Sequence, residues 1–180
     1  MRLILSTFLV FIFISTSAKS QSYKPFEWDI IRLGVVFPTG DGTSTGGSIG
    51  TEPRYNINDN FSASLRLEAA IFGSEDDAFD LGTSGSWTLF GDYYFQNNKN
   101  KRAFAGLGIG FFSGADLTVE TNGNTSTVAE GGNGVGLVPR VGYELGFLRI
   151  SAEYDLAFSS DISNYIGVNL GFTILGRARR

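Results

Sequence analysis

Eight segments in which apolar and polar residues alternate with a period of two run between Trp28 and Ile174, and no other feature limits the fold as tightly. The third is the cleanest: Phe61, Ala63, Leu65, Leu67, Ala69 and Ile71 oppose Ser62, Ser64, Arg66 and Glu68. A helix would scatter those apolar groups around its circumference, whereas a strand sends them all to one side. The first segment, Trp28 to Phe37, sets Ile31, Leu33, Val35 and Phe37 against Arg32 and Gly34. The second, Ser48 to Ile57, sets Ile49, Thr51, Pro53, Tyr55 and Ile57 against Glu52, Arg54 and Asn56. In the fourth, Gly85 to Gln96, Trp87, Leu89, Tyr93 and Phe95 oppose Ser86, Thr88, Asp92 and Gln96. The fifth, Arg102 to Phe112, has Ala105, Leu107, Ile109 and Phe111 on one face and Phe104, Gly106, Gly108 and Gly110 on the other. In the sixth, Gly134 to Leu145, Val135, Leu137, Val141, Tyr143 and Leu145 oppose Arg140, Gly142 and Glu144. The seventh, Leu148 to Phe158, opposes Ile150, Ala152, Tyr154 and Leu156 to Arg149, Ser151, Glu153 and Asp155. The eighth, Asn164 to Ile174, opposes Ile166, Val168, Leu170, Phe172 and Ile174 to Gly167, Asn169 and Gly171.

The connections alternate in length. Tight ones follow the second, fourth and sixth segments: Asn58-Asp59-Asn60, Asn97 to Lys101, and Gly146-Phe147. Longer ones follow the first, third and fifth, at Pro38 to Gly47, Gly73 to Ser84 and Gly114 to Asn133, with a shorter Ser159 to Ser163 after the seventh. An even number of strands with tight turns at one end is the pattern of an all-β, eight-stranded, antiparallel up-and-down transmembrane barrel. A glycine opening a two-residue connection suits a II′ hairpin, so Gly146-Phe147 predicts that Leu145 pairs with Leu148. That register sets Glu144 beside Arg149 and Arg140 beside Glu153. Counting back from Asn58-Asp59-Asn60 sets Glu52 opposite Arg66.

Alternation by itself leaves open which face points outward. A soluble barrel encloses apolar residues, while a membrane barrel reverses the arrangement. The polar faces carry Arg32, Arg54, Arg66, Arg140 and Arg149 but no lysine. Arginine suits a crowded interior because its planar fork engages carboxylates through two hydrogen bonds. Aromatic residues of the apolar face cluster toward strand ends. Phe37, Trp87, Phe111 and Phe158 lie near the long loops, and Tyr55, Phe61, Tyr93, Phe95, Tyr143 and Phe172 near the tight turns. Only Tyr154 sits closer to mid-strand. Two aromatic belts around an aliphatic middle match a membrane barrel's interfacial girdles. The expected orientation therefore puts a structural charge network of Arg32, Glu52, Arg54, Arg66, Glu68, Asp92, Arg140, Glu144, Arg149, Glu153 and Asp155 in the lumen. Gly106, Gly108 and Gly110 are expected to make room there for Phe90, Tyr94, Phe104 and Phe112.

Ahead of the barrel, Arg2, the apolar run Leu3 to Ile14 and the small-x-small site Ala18-Lys19-Ser20 read as an export signal. The chain divides accordingly into a signal peptide at 1–20, a lead at 21–27, the barrel at 28–175 and a tail at 176–180. Losing Arg2 and Lys19 leaves 12 of the 14 basic residues against 18 acidic ones. That balance disfavours nucleic acid as a partner. With no cysteine and no histidine, disulfides, cysteine nucleophiles, Ser-His-Asp catalysis and histidine-held zinc are unavailable. No enzyme activity, metal or cofactor is expected. The acidic second loop (Glu75, Asp76, Asp77, Asp80) lacks EF-hand spacing and reads as a solvated loop. The third, rich in Gly, Asn and Thr, is expected to be a mobile surface loop suited to partner contact.

Taken together, Trp28 to Ile174 resembles the small eight-stranded outer-membrane barrel proteins, the group of the OmpA transmembrane domain, OmpX and the opacity-like proteins. The last strand resembles that family's assembly signal through Tyr165, Gly167, Leu170 and Phe172, although the chain continues past it to Arg180. The resemblance implies a Gram-negative outer membrane with both termini periplasmic, lipid and the barrel-assembly machinery as partners, and a surface ligand at the loops. Two other readings stand beside it: a soluble exported lipocalin-like barrel around an apolar ligand, and a small conducting channel.

Overall fold

The computed structural model describes residues 24–39, 43–74, 80–98, 101–120, 125–159 and 162–175. The export signal, the lead as far as residue 23 and the tail from 176 lie outside them, as do Glu75, Asp76 and Asp77 of the acidic loop. Eight strands follow in order: β1 Phe26–Pro38, β2 Thr43–Asn56, β3 Phe61–Ser74, β4 Asp80–Asn98, β5 Lys101–Glu120, β6 Thr125–Leu145, β7 Leu148–Ala157 and β8 Tyr165–Ile174. Each pairs antiparallel with its neighbour in sequence, and β1 closes on β8 to make a barrel. Closure leaves no sheet edge around the barrel wall.

The tight turns set the registers. Gly146 adopts φ +63°, the left-handed conformation that the first position of a II′ turn requires, and Leu145 pairs with Leu148. Arg140 faces Glu153 and Glu144 faces Arg149 on the same ladder. At the β2–β3 turn, the Asn58 side-chain oxygen accepts from the backbone N–H of Asn60 and of Phe61, both at 2.8 Å. That local bond holds the turn without help from the sheet. It puts Arg54 opposite Ser64 and Thr51 opposite Leu67, so Glu52 does fall opposite Arg66. Replacing Gly146 with valine is expected to cost about 1–2 kcal/mol, the penalty of a left-handed backbone for an L-residue. A lowered urea midpoint for the folded barrel checks it.

Among the departures from simple alternation, two bear on the lumen and the loops. In β1 the register shifts between Asp29 and Arg32, and Ile30 and Ile31 both face outward. This bulge reverses the parity of the strand, so Glu27 and Asp29 point inward together with Arg32. The second departure corrects the reading of Gly114 to Asn133 as a loop. Ala115 to Glu120 pairs with Thr125 to Glu130, and β4 runs alongside from Asp80. Runs such as Leu117-Thr118-Val119 and Thr127-Val128 favour extended backbone, so this stretch continues the barrel wall as a ribbon. The ribbon bends where one residue, Gly114, meets two, Gly131 and Gly132, at the register shift after Ser113.

Candidate functional site: the charged lumen

Polarity inside the barrel is inverted relative to a soluble protein. Leu67 is 48% exposed, Leu89 59% and Ile109 65% on the outer wall, while Arg66 beside Leu67 is fully buried. All eleven lumen residues expected from sequence are buried and face inward. Three more join them: Glu27 and Asp29, carried in by the β1 bulge, and Arg102 at the start of β5. Period two would have placed Arg102 on the face of Phe104. Nothing in the alternation signals the bulge that brings in Glu27 and Asp29.

These charges form one alternating chain along the lumen. Near the tight turns, Arg102 donates to Glu27 at 2.6 Å and from Nε to Glu144 at 2.6 Å. Arg54 reaches Glu27 and Asp29, each at 3.0 Å, and Glu144 at 2.6 Å. Arg149 links Glu144 (2.6 Å) to Asp92 (2.9 Å). Arg140 then links Asp92 to Glu52, donating to both oxygens of each carboxylate at 2.7–3.0 Å. Arg32 bridges Glu52 and Glu153, and Arg66 bridges Glu153 and Asp155. Toward the long loops the Tyr165 hydroxyl donates to Glu68 at 2.9 Å. Glu27, Glu52, Asp92, Glu144 and Glu153 each serve at least two guanidinium groups, which is how so many ions are accommodated away from water.

Register alone does not dictate these partners. Glu52 and Arg66 are cross-strand neighbours, yet Glu52 binds Arg32 and Arg140 while Arg66 reaches across to β7. The closest contact between Arg140 and its register neighbour Glu153 is 3.7 Å, longer than its bonds to Asp92 and Glu52. Three pairs do form along their own ladders: Arg149–Glu144 on β6–β7, Arg54–Glu27 on β1–β2 and Arg102–Glu144 on β5–β6.

Aromatic rings from β4 and β5 fill the space between arginines. The Arg140 guanidinium lies 3.5 Å from the Phe90 ring centroid, Arg149 lies 3.8 Å from Phe104, and Arg102 lies 4.4 Å from Tyr94. Such contacts are favourable where the cation is desolvated. Small residues opposite make them fit. A Cβ added at Gly108 would sit 2.7 Å from two Phe90 ring carbons, and one at Gly142 would sit 2.3 Å from Phe104. Gly106-x-Gly108-x-Gly110 is therefore a packing surface. Gly108→Val is expected to destabilise by about 1–3 kcal/mol through overpacking, read as an earlier thermal transition in detergent. Toward the long loops the lumen turns apolar, with Val36, Ala70, Phe72 and Tyr165 in one cluster. Ile162 folds in from the β7–β8 connection onto Phe112, Val138 and Ala157.

No group of three or more Asp and Glu residues suited to hold a metal occurs among the described residues. Nor is the lumen the apolar cavity that a lipocalin-like binding role needs. Its cross-section is occupied by side chains bonded to one another.

Among solved structures, the chain is similar to Neisserial surface protein A (NspA), with 12% identity, a TM-score of 0.61, and coverage of 86% of this chain and 99% of that one. It is also similar to the outer membrane protein OprG from Pseudomonas aeruginosa, with 12% identity, a TM-score of 0.58, and coverage of 86% and 98%. This is the fold of the small eight-stranded outer-membrane barrels. No protein-family model and no curated protein matches the chain.

Around the barrel's outer wall the aromatic belts follow the same pattern. Phe37, Trp87, Phe111 and Phe158 are exposed toward the long loops, and Trp87 stacks on Phe111 at 6.0 Å. Toward the tight turns Phe26, Trp28 and Phe147 add to Tyr55, Phe61, Tyr93 and Phe95. Tyr154 pairs with Ile166, which pairs with Phe37. It thus lies on a row with the upper belt, and strand tilt accounts for its apparent mid-strand position.

Proposed function

We propose that this chain is an integral outer-membrane protein of a Gram-negative bacterium, exported with loss of residues 1–20 and inserted with both termini on the periplasmic side. One observation carries the reading: leucine and isoleucine side chains cover the outer wall while six arginines and eight carboxylates are buried within. Only a hydrocarbon solvent makes that arrangement favourable. The charge network acts as a structural filling, and contact with surface partners falls to the long-loop end, where the β4–β5–β6 ribbon stands highest. It performs no catalysis. Gly167, Leu170 and Phe172 of β8 support delivery by the barrel-assembly machinery, and the surrounding lipid is its constant partner.

The protein is expected to fractionate with the outer membrane, to resist extraction by urea and to migrate faster in a detergent gel before boiling than after. Recovery as a soluble periplasmic monomer would overturn the proposal. In planar bilayers it is expected to give no single-channel steps, because Arg32, Glu52, Asp92 and Arg140 fill the lumen's middle. Reproducible conductance steps from the purified chain would show the filling to be incomplete and restore the channel reading.

A further inference from the structure

Charge inside the lumen does not balance: among the described residues, six buried arginines face eight buried carboxylates, and no lysine is buried with them. The surplus is local. Toward the tight turns Arg54, Arg102 and Arg149 bind Glu27, Asp29 and Glu144, three cations for three anions. Above them Arg32, Arg66 and Arg140 serve Glu52, Glu68, Asp92, Glu153 and Asp155. Arg149 also reaches up to Asp92, but the totals stand. Arg66 alone answers three of the five: it binds Glu153 and Asp155 closely and stands 3.8 Å from Glu68. Buried anions without compensation are costly, so the upper lumen favours further positive charge.

Two buried oxygens at that level have no hydrogen-bond partner. Glu68 accepts from the Tyr165 hydroxyl through Oε1, while its Oε2 is buried and unpartnered. The Ser84 Oγ is also unpartnered, on a residue only 5% exposed. Ser84 sits on the inward face of β4 opposite Ala70, the next inward residue after Glu68, so hydroxyl and carboxylate share one region of the lumen. Asp155 lies within electrostatic reach of Glu68. Buried polar atoms of this kind call for an ion or a water between them. We propose that Glu68, Ser84 and Asp155 hold one alkali cation, of sodium's class, beneath the apolar cluster of Val36, Ala70, Phe72 and Tyr165. Carboxylate and hydroxyl oxygens are the ligands that hard cations take. A divalent ion would call for a larger acidic set than the described residues offer, whereas a singly charged one offsets the surplus with these few oxygens. The proposal rests on the membrane-spanning reading above and adds a bound ion to the lumen's filling.

The test uses the full chain refolded into phosphatidylcholine vesicles and unfolded with urea in sodium chloride, with tetramethylammonium chloride holding the ionic strength constant. General screening is then the same throughout, and only an ion bound at a site distinguishes the two salts. Raising sodium from about 20 to about 200 mM is expected to lower the unfolding constant severalfold, with about tenfold the limit for one bound ion. Glu68→Gln keeps an acceptor for Tyr165 but removes the charge, and is expected to abolish the sodium dependence. Ser84→Ala, a smaller change, is expected to weaken it and carries the test should Glu68→Gln fail to fold. Equal stability of the wild type in the two salts, or a sodium dependence that survives both substitutions, would overturn the proposal. A chain that never enters the bilayer, judged by the heat-modifiable gel shift, would instead overturn the membrane-spanning reading beneath it.

Discussion

Replacing Arg140 with methionine is expected to cost about 3–5 kcal/mol, the range for removing one partner from a buried ion network. Arg140 is fully buried at its guanidinium and donates to both oxygens of Glu52 and of Asp92. Methionine fills a similar volume and keeps contact with Phe90, so the loss isolates charge and hydrogen bonding from packing. Glu52 would keep Arg32, and Asp92 would keep Arg149, but each would retain one guanidinium where it had two. Urea unfolding in phosphatidylcholine vesicles, followed by the emission of Trp28 and Trp87, measures the change. Adding Glu52→Gln should recover part of the loss by removing one under-compensated carboxylate. A penalty of about 1 kcal/mol or less would mean that water screens these ions, because solvated pairs contribute no more than that.

Much of this arrangement is legible in the order of residues. The clean alternation in β3, β7 and β8 specifies which side chains share a face, because a strand has no other way to dispose of them. Gly146-Phe147 and Asn58-Asp59-Asn60 specify register through turn geometry, and the pairs Leu145–Leu148 and Arg54–Ser64 follow. Local chemistry therefore reaches as far as the ladder.

Ion-pair partners are a different kind of fact. In so narrow a barrel an inward arginine is as close to the far wall as to its cross-strand neighbour. Arg66 thus prefers Glu153 and Asp155 on β7, a strand that does not pair with β3 in the sheet, and Glu52 turns to β1 and β6. No linear pattern encodes that choice. It depends on how the aromatic rings of Phe90, Tyr94 and Phe104 occupy the β4–β5 side and push the guanidinium groups toward the carboxylates opposite. The β1 bulge is hidden for a related reason, since Ile30 and Ile31 read as one extra apolar residue until the pairing with β2 and β8 shows the register slipping there. The ribbon of β5 and β6 is obscured by composition: glycine and asparagine advertise a loop, although threonine and valine among them carry strand pairing through Glu120 and Thr125.

Adjacent residues of β3 give the sharpest test of which way the wall faces. Leu67→Arg places a cation on the outer wall between Thr51 and Trp87, its partners across β2 and β4. In a bilayer this is expected to cost about 2–4 kcal/mol, the penalty for arginine near the membrane midplane. Arg66→Leu, one position earlier, is expected to be as damaging for the opposite reason. It leaves Glu153 with Arg32 as its close partner and removes the guanidinium that Asp155 binds. Unfolding of both variants in vesicles, with wild type alongside, measures the two losses. A soluble barrel with its charges in water would show only one of them: Leu67→Arg would ruin its apolar interior, while Arg66→Leu would be mild, since exposed pairs contribute little. A harmless Arg66→Leu would therefore reverse the orientation, whereas damage from both substitutions requires a charged interior and an apolar solvent on either side of the same strand.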